Sequence, residues 1–427
     1  MRVLVAGGEG FVGRHIVVAL EAAGHEVIAG VRQPAAGHLH SIACDFSRDL
    51  DPHVWISRLT GIDVVVNAIG ILRESKSNSF ARIHVAGPTA LFQGCISAGV
   101  RRVIQISALG SPNVSEYLAS KHRGDAELAK LDLDWTILRP SLVYSVSGSY
   151  GGTSLLRAMA ALPAVICVPG SGEQLIQPIR AEDLALGIAG LIEKGTGSQQ
   201  VIAVVGPERE TLLGYLQTLR RWLELPNAIV IRVPMTVSHW VAWLGEVFST
   251  GPLGITMWRM LQEGNVAVLP NADREFVLLS GVPPLSLHEA FALAPSFVQD
   301  RWHARLYFLA PMLRLGLALL WIFSAAVGFA TPLPQSQALF ASAGLPAAVV
   351  APLVWAASTV DLILGILALI AWRPEMVAAL MCVSLVIYTA LVGLLLPSVW
   401  LEPFGGILKN LPLIPAVLVM GVLSRRR

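Results

Sequence analysis

The strongest constraint on the fold lies in residues 307–423, which contain very few ionisable side chains. Four apolar segments in this part, at roughly 307–329, 349–371, 375–396 and 406–423, are near the length of about 20 residues that a helix needs to cross a membrane. Four such segments in succession favour transmembrane helices over the buried helices of a soluble protein. We therefore predict an all-α bundle of four transmembrane helices over residues 306–427.

Basic residues beside these segments predict their orientation. Arg301 and Arg305 precede the first segment, Arg373 separates the second from the third, and residues 425–427 are three arginines. The connections at 330–348 and 397–405 contain no lysine or arginine. Because lysine and arginine concentrate in cytoplasmic loops, the amino-terminal part and the carboxyl terminus are both predicted in the cytoplasm. The chain is thus expected to be a multi-pass protein of the inner (cytoplasmic) membrane.

Charge and cysteine spacing exclude some functions for the amino-terminal part. The net charge is +2 and no block of five or more basic residues occurs, so nucleic acid is not expected as a partner. Four isolated cysteines show neither CxxC nor CxxH spacing, which is typical of a reduced compartment. They are Cys44, Cys95, Cys167 and Cys382. Three single histidines, His239, His288 and His303, have no acidic neighbours at ligand spacing, and no metal site is expected.

The start of the chain predicts a turn that binds a dinucleotide. Residues 1–6 form an apolar run typical of a buried strand, the glycine-rich segment 7–13 follows, and a helical pattern continues from there. Turn glycines allow backbone N–H groups to face a pyrophosphate, and the helix dipole favours its charge. Gly13 would let this helix pack closely on the strand. A second strand at 25–31 completes a βαβ spacing, which favours cofactor binding over a purely structural turn.

Residues after the next strands predict further cofactor contacts. Arg32 follows the second strand, at the point where an acid would bind the ribose of NAD. An arginine there pairs instead with the additional phosphate of NADP, so NADP(H) is favoured over NAD(H). Asp45, after a short strand at 42–43, would accept from the adenine amino group, and the turn at 67–70 would pass under the cofactor. The alternatives are a solvated Arg32 and a helix-capping Asp45.

A candidate catalytic group follows the strand at 102–107. Tyr117 and Lys121 lie four residues apart in a helical pattern and therefore share a helix face. An ammonium group beside a phenol favours the phenolate, so the pKa of Tyr117 is expected to be lowered and the tyrosine to exchange a proton with a substrate. Ser107, at the end of the strand, would hold the substrate oxygen.

The order of these motifs, ending in residues 138–141, makes the chain resemble the short-chain dehydrogenase/reductase superfamily over about residues 1–300. Within the extended and atypical branches, it is most similar to the group of the nucleotide-binding accessory subunit of respiratory complex I. The resemblance implies a Rossmann-type, doubly wound parallel α/β sheet over 1–205 and a small, mostly helical lobe over 206–305. It implies a catalytic triad of Ser107, Tyr117 and Lys121. It implies cofactor contacts from Gly7, Gly10, Phe11, Val12, Arg32, Asp45, Phe46, Ala68, Ile69, Gly70, Lys121 and Pro140.

Two features of this region leave alternatives open. Nine residues separate Ser107 from Tyr117, a short loop where many active relatives have a longer one that lines the substrate. In the lobe, an apolar stretch at 233–248 carries Trp240 and Trp243 at helical spacing. It is a lid, a lipid-facing surface or core, and core is favoured because aromatic stripes at this spacing usually pack inward.

The carboxyl-terminal part resembles the DoxX-like four-helix membrane family. The residues that carry this resemblance are Trp321, Ser324, Asp361, Gly365, residues 403–405, Lys409 and Asn410. Arg314 and Asp361 are ionisable groups at membrane depth, so they should face the bundle interior, water or each other. A structural clamp and a role in quinone or proton chemistry are both consistent with these two residues.

Three functions follow as hypotheses. The first is an NADP(H)-dependent oxidoreductase that acts on a lipophilic carbonyl, alcohol or quinone at the membrane surface, with lipid and a membrane protein complex as further partners. The second is a non-catalytic NADPH-binding subunit with a structural or redox-sensing role, which the short loop before Tyr117 favours. The third, a nucleotide-sugar epimerase or dehydratase, fits the extended branch but leaves the membrane bundle without a role.

Overall fold

A computed structural model describes residues 1–34, 40–75, 77–248, 251–268, 272–341, 343–401 and 406–424. The chain forms two compact units, Met1–Ala304 and Arg305–Arg427. Residues 403–405 and the arginines at 425–427, which entered the sequence predictions, lie outside the described residues.

The elements follow in chain order. The strands are β1 Arg2–Ala6, β2 Glu26–Val31, β3 Ser41–Ala43, β4 Val64–Asn67, β5 Arg102–Ile106, β6 Asp134–Pro140, β7 Val143–Tyr144, β8 Val165–Pro169, β9 Leu175–Ile176, β10 Ile179–Arg180, β11 Gln200–Val204, β12 Glu210–Thr211 and β13 Ile229–Val233. The helices are α1 Phe11–Ala22, α2 Pro52–Arg58, α3 Gly87–Ala98, α4 Glu116–Ala129, α5 Gly152–Ala160, α6 Ala181–Lys194, α7 Leu212–Trp222, α8 Met235–Phe248, α9 Ile255–Glu263, α10 Ala272–Ser280, α11 Leu287–Leu293, α12 Val298–Ala330, α13 Leu333–Ala341, α14 Ala347–Leu369, α15 Pro374–Leu395 and α16 Asn410–Leu423. A π-helix, Ala81–Ala86, leads directly into α3.

Seven parallel strands form the main sheet in the order β11-β6-β5-β4-β1-β2-β3. The predicted Rossmann-type α/β sheet is therefore confirmed. The strand order reverses between β1 and β4, which are neighbours in the sheet although β2 and β3 come between them in the chain. Ligands bind at such a reversal, outside the carboxyl ends of the strands. The glycine segment after β1 and the turn after β4 both lie at this edge.

Hydrophobic cores cover the sheet on both faces. One core packs Ile16 and Leu20 of α1 and Leu184 of α6 against strand residues. The other packs Trp55 of α2 and Leu91 of α3 against strand residues. Parallel strands buried on both faces require continuous apolar runs, which explains why Val3 to Ala6 are all fully buried.

A separate core supports the lobe and draws on more of the chain than residues 206–305. It joins Tyr144 and Leu156 to Leu216 of α7 and Phe291 of α11. The short β13 pairs in parallel with β8 beside this core, and the sequence analysis did not predict it.

Helix α8 corrects the prediction that the tryptophan stripe packs into a core. Trp240 is 62% exposed and Trp243 is 44% exposed, and the two indole rings contact each other edge to face. The residues of α8 that face inward are small, as Ala242 illustrates. The helical spacing of the two tryptophans was therefore predicted correctly, but the side of α8 that is buried was not.

The second unit contains, among its described residues, three helices long and apolar enough to cross a membrane: α12, α14 and α15. The predicted fourth span is shorter, because α16 has 14 residues. Gly365 of α14 explains one close helix contact, since a Cβ there would lie 3.0 Å from the carbonyl oxygen of Ala318. Asp361 accepts a hydrogen bond from Ser324 Oγ at 2.7 Å and is buried, which agrees with the expectation that it faces the bundle interior.

Helix α4 packs against the π-helix through a glycine. A Cβ on Gly124 would lie 2.1 Å from the carbonyl oxygen of His84, and backbone atoms cannot yield as a flexible side chain can. This contact fixes α4, which carries Tyr117 and Lys121, against the segment that precedes α3.

We expect Gly124→Ala to lower the free energy of unfolding by about 1–3 kcal/mol, the usual cost of overpacking. The measurement is the thermal unfolding midpoint of the purified chain in mild detergent. Gly148→Ala is the matched control, because a Cβ at Gly148 meets no atom within 4 Å. Equal midpoints for the two variants would contradict the close contact.

Candidate functional site

The glycine turn after β1 has the geometry that a pyrophosphate needs. Gly7 has a φ of +82°, and its N–H donates to the carbonyl of Gly30 at 2.9 Å. A Cβ on Gly13 would lie 2.0 Å from the carbonyl oxygen of Gly7, so no other residue allows α1 to approach the strand this closely. The packing role predicted for Gly13 is confirmed.

The amino terminus of α1 is open to an anion. Gly10 is the residue before the first turn, and no side chain caps the helix there. The first N–H groups of a helix have no partner within the helix, and its dipole favours negative charge at this end. The exposed guanidinium of Arg14 donates to the carbonyls of Glu9 and Gly10, at 3.3 and 3.4 Å, and adds positive charge. Phe11 and Val12, both predicted cofactor contacts, are half-buried in this first turn.

The turn after β4 is held by its own side chains. Asn67 is buried, accepts from the N–H of Ile69 at 3.2 Å, and donates to Gln105 Oε1 at 2.7 Å. Ala68 and Ile69 are half-buried and Gly70 is exposed. The predicted turn at 67–70 therefore lies beside the glycine turn, on the adjacent strand of the sheet.

Lys121 is buried at the centre of this arrangement. Its ammonium group donates to the carbonyls of Ile69 at 3.2 Å and Ile106 at 3.1 Å, which lie just beyond β4 and at the end of β5. A Cβ on Gly70 would lie 2.9 Å from Lys121 Nζ, so the glycine leaves room for the ammonium. Burial lowers the pKa of Lys121 to about 8, although the carboxylate of Asp125 opposes this shift.

Tyr117 lies in an aromatic cluster one turn of α4 before Lys121. Its ring contacts His84 at 5.5 Å and Phe80 at 6.2 Å between centroids, both edge to face. Burial raises the pKa of Tyr117 to about 12, the opposite direction to the predicted lowering. Lys121 donates to backbone carbonyls, and no hydrogen bond joins these two described side chains.

His84 connects the cluster to the turn. Burial, followed by the charge of Lys121, lowers the pKa of His84 to about 2, so the ring is neutral. Its Nε2 accepts from the N–H of Ile71 at 3.0 Å, which leaves Nδ1 to donate to Ser120 Oγ at 2.8 Å. Ser120 in turn donates to the carbonyl of Tyr117 at 2.8 Å.

Ser107 is engaged by a buried carboxylate. Its hydroxyl donates to Asp125 Oδ2 at 2.8 Å, and Arg139 donates to the same oxygen from Nε at 3.1 Å and Nη2 at 3.0 Å. The structure thus brings Ser107, Tyr117 and Lys121 to one side of α4, but directs the serine hydroxyl to Asp125. A role for this hydroxyl in holding a substrate oxygen stays a prediction.

Arg32 lines a groove of about 340 Å³ with two further arginines at the other end of the site. The lining residues are Arg32, Asp45, Ser47, Arg48, Ser77, Asn78 and Arg82. Asp45 accepts from the N–H and Oγ of Ser47, at 3.0 and 2.7 Å. Partial burial raises its pKa, but the Ser47 bonds and the charges of Arg32 and Arg48 outweigh this and place the pKa below its ordinary value. Asp45 therefore stays an anion, and its Oδ2 lies 3.9 Å from Arg48 Nε.

Two residues predicted to contact the cofactor, Phe46 and Pro140, are buried in the structure. The Phe46 side chain is 1% exposed and packs edge to face on Trp55, so it belongs to the core and offers no surface to a cofactor. Pro140 is buried at the end of β6, and its carbonyl accepts from the N–H of Leu109 at 2.9 Å.

The sequence analysis missed several residues of the site. His84, Asp125 and Arg82 stand in no motif, and the fold alone brings them to the site. Arg48 carried a weak signal, because it follows Asp45 by three residues. A further cluster was also missed: ligand atoms of Glu208, Glu210 and His288 lie within 4.8 Å of one another, so His288 does have acidic neighbours, although two of the three residues are exposed.

Glu182 and Asp183 lie in the first turn of α6. Asp183 is buried and accepts from Arg180 and from the N–H of Leu285, the second bond at 3.0 Å. Glu182 accepts from Ser145 Oγ at 2.6 Å. Both acids therefore have structural partners and do more than favour the helix dipole.

The loop before Tyr117 has an apolar environment. A small cavity beside it is lined by Leu109, Val114 and Leu118 together with Met260 of α9. Asn265, which also lines the cavity, donates to the carbonyl of Leu109 at 3.2 Å. The short loop is thus covered by the lobe.

Family comparisons agree with this geometry. Residues 3–206 match the NAD dependent epimerase/dehydratase family, and residues 318–418 match the DoxX-like family.

Individual relatives match the amino-terminal part. The chain is 25% identical over 259 residues to NADH dehydrogenase [ubiquinone] 1 alpha subcomplex subunit 9, mitochondrial, of Mus musculus, covering 58% of this chain and 67% of that protein. It is 29% identical over 153 residues to ceramide reductase of Caulobacter vibrioides, covering 33% of this chain and 46% of that protein. It is 29% identical over 257 residues to 3-diazoavenalumate denitrifying reductase of a Streptomyces species, covering 51% and 82%.

Solved structures share the fold. UDP-glucuronic acid 4-epimerase from Bacillus cereus, in complex with UDP-glucuronic acid and NAD, superposes with a TM-score of 0.52 at 17% identity and covers 71% of this chain and 99% of that one. A nucleoside-diphosphate-sugar epimerase from Staphylococcus aureus has a TM-score of 0.54 at 18% identity and covers 68% and 99%. The chain therefore joins a Rossmann domain like those of NAD-dependent epimerases and short-chain dehydrogenases to a DoxX-like carboxyl-terminal domain.

Proposed function

We propose that the chain is a membrane-anchored, NADP(H)-dependent oxidoreductase that acts on a lipophilic carbonyl, alcohol or quinone. The observation that carries the proposal is the position of Tyr117 and Lys121, which the sheet places at the same edge as the open amino terminus of α1. Binding of a dinucleotide along this edge would bring its redox end to the tyrosine.

The residues present fit the cofactor. The Gly7 to Gly13 turn leaves a cradle that a Cβ would fill, the uncapped α1 terminus would bind the pyrophosphate, and Lys121 would hold the ribose next to the nicotinamide. When bound, NADP(H) supplies or accepts a hydride. In reduction, Tyr117 would give a proton to a carbonyl substrate, and the Lys121 ammonium would return one to the phenolate; in alcohol oxidation both transfers would run in reverse.

The three arginines of the groove support NADP(H) over NAD(H). Arg32, Arg48 and Arg82 line one groove at the end of β2, and a 2′-phosphate would fill it with charge-assisted hydrogen bonds. A carboxylate that faces a ribose 2′-hydroxyl favours NAD. The Asp45 carboxylate instead accepts from Ser47 and is stabilised by the charges of Arg32 and Arg48.

The mainly apolar cavity beside the loop before Tyr117 supports a lipophilic substrate. Leu109, Val114, Leu118 and Met260 line it, and Glu263 and Asn265 also border it. The three long apolar helices would anchor the enzyme where such a substrate dissolves, and the flanking arginines favour a cytoplasmic position for the amino-terminal unit.

A second function, permanent binding of NADPH within a membrane complex, has specific support. Ser107 is turned to Asp125, and the raised pKa of Tyr117 disfavours the phenolate. An epimerase or dehydratase reaction is the third alternative, because the matched family model includes both activities. Bound NADPH that no carbonyl or quinone oxidises would favour the second function, and binding of a nucleotide sugar the third.

Replacing an arginine of the groove should change cofactor preference. We expect Arg32→Ala and Arg82→Ala each to weaken NADPH binding by about 10-fold to 100-fold, the value of a charge-assisted hydrogen bond. NADH binding should stay the same. Isothermal titration of both cofactors is the measurement, and Arg101→Ala, which removes a side chain that is 76% exposed and lies at the amino end of β5, is the control. Equal losses for NADPH and NADH would contradict the assignment of the groove.

Removing one phenol should stop the reaction. We expect Tyr117→Phe to lower turnover by about 100-fold to 10,000-fold, the usual contribution of a positioned acid, and to leave the NADPH dissociation constant unchanged. NADPH absorbance is followed in detergent with a short-chain quinone or a long-chain aldehyde. Tyr307→Phe, which removes a phenol from the other unit, should keep the activity of the unaltered chain. Retained turnover in Tyr117→Phe would refute the catalytic role.

The pH profile should follow Lys121. Its ammonium carries a proton below a pKa of about 8 and loses it above, whereas Tyr117, with a pKa of about 12, stays protonated. Substrate reduction should therefore be level up to about pH 8 and decline above it. Lys121→Arg, whose guanidinium keeps its charge, should remove the decline. Initial rates at saturating NADPH provide the test, and a level profile through about pH 10 in the unaltered chain would exclude a titrating Lys121.

A further inference from the structure

A surface helix of a soluble protein buries its large apolar side chains. In helix α8 the large apolar side chains are exposed and the buried residues are small. Its large apolar residues, including Val237, Trp240 and Val241, are exposed. Trp240, Trp243, Leu244 and Val247 follow the i, i+3, i+4, i+7 spacing of one helix face and are 62%, 44%, 46% and 55% exposed. We call these six residues the α8 face.

The opposite side of α8 explains why this face points outward. Ala242 and Gly245 are buried, and a Cβ on Gly245 would lie 2.6 Å from the carbonyl oxygen of Leu253. Small residues allow the helix to lie close against the segment that leads into α9. The large side chains do not fit there, so the orientation of the helix is set by packing.

The chemistry of the α8 face matches the interfacial region of a membrane. Residues 235–245 contain no aspartate, glutamate, lysine or arginine. Tryptophan concentrates at membrane interfaces, because its ring is apolar and its N–H is polar. Protein interfaces usually carry a polar rim around their apolar centre, whereas the exposed polar residues of 235–245 are limited to Thr236 and His239.

The chain itself identifies the occupant. Three of its described helices are long and apolar enough to cross a membrane, so the tethered amino-terminal unit meets bilayer at a high effective concentration. We propose that the α8 face docks into the interfacial region of that lipid bilayer as an in-plane membrane helix.

Helix α8 is fixed to the site-bearing unit at its carboxyl-terminal end. The guanidinium of Arg73, three residues beyond Gly70, donates to the carbonyls of Gly245 at 3.2 Å and Gly251 at 3.4 Å, and lies 3.4 Å from the Glu246 carboxylate. Glu246 Oε2 also accepts from the N–H of Ile255, the first residue of α9, at 3.0 Å. Docking of α8 therefore orients the segment that follows the 67–70 turn towards the lipid, whether or not the site turns over.

The test uses the full chain in proteoliposomes with an environment-sensitive fluorophore on Trp240→Cys. The half-buried Cys167 and Cys382 are replaced by Ala, and Cys44 and Cys95 are buried. Val18→Cys is the matched control, because Val18 is an apolar helix residue with 65% exposure. We expect lipids that carry a nitroxide on the acyl chain to quench the label at 240 several-fold more than the label at 18. Aqueous iodide should show the reverse order.

Two results would overturn the proposal. Quenching of residue 240 by iodide would show that the α8 face lies in water. Protection from both quenchers would show that protein covers it, either the other unit, a second copy or a partner. If Trp240→Cys does not fold, as judged by circular dichroism, Leu244→Cys, at a site that is 46% exposed on the same face, takes its place.

Discussion

The candidate site of the amino-terminal unit depends on one constraint, the reversal of strand order between β1 and β4. The reversal sends the following segments to opposite sides of the sheet and leaves a crevice between the two strand ends. Two glycines make the crevice usable, because a Cβ on Gly13 or Gly70 would meet the Gly7 carbonyl or the Lys121 ammonium. Lys121 then ties the ends of β4 and β5 together with its hydrogen bonds.

Groups that attract negative charge lie along the whole length of the crevice. Arginines line the groove at the β2 side, an uncapped helix terminus lies in the middle, and a buried lysine and tyrosine lie at the β5 side. This order matches the charges of a phosphorylated dinucleotide, which are concentrated at its adenosine end and centre. Such a crevice would suit a redox enzyme and also a permanent cofactor binder. The two functions differ in what they require of Ser107 and Tyr117.

The sequence was sufficient where a local pattern has one physical meaning. The order of strand, glycine turn and helix predicted the parallel sheet, the glycine turn and the role of Gly13. The length of the apolar segments predicted the three long helices, and the fourth predicted span is shorter. It was insufficient where geometry between distant segments decides. The Tyr117 pKa is raised by burial beside His84 and Phe80, Phe46 is core because Trp55 packs against it, and the α8 face is exposed because Gly245 lies against Leu253. None of these pairings can be read from spacing.

The π-helix before α3 lets one continuous helical segment contact both α4 and the sheet. A π-turn holds one residue more than an α-turn, and such turns are frequent at functional sites. The extra residue lets His84 face α4 and Tyr117, while Leu91 and Cys95 further along face the sheet. Removing one residue from Ala81–Ala86 would restore an ordinary helix and turn its first half by about 100° relative to α3. The site would then lose His84, and Ile83, which packs in the same core as Leu91, would turn away with it, so the extra residue lets one segment serve the candidate site and the core together.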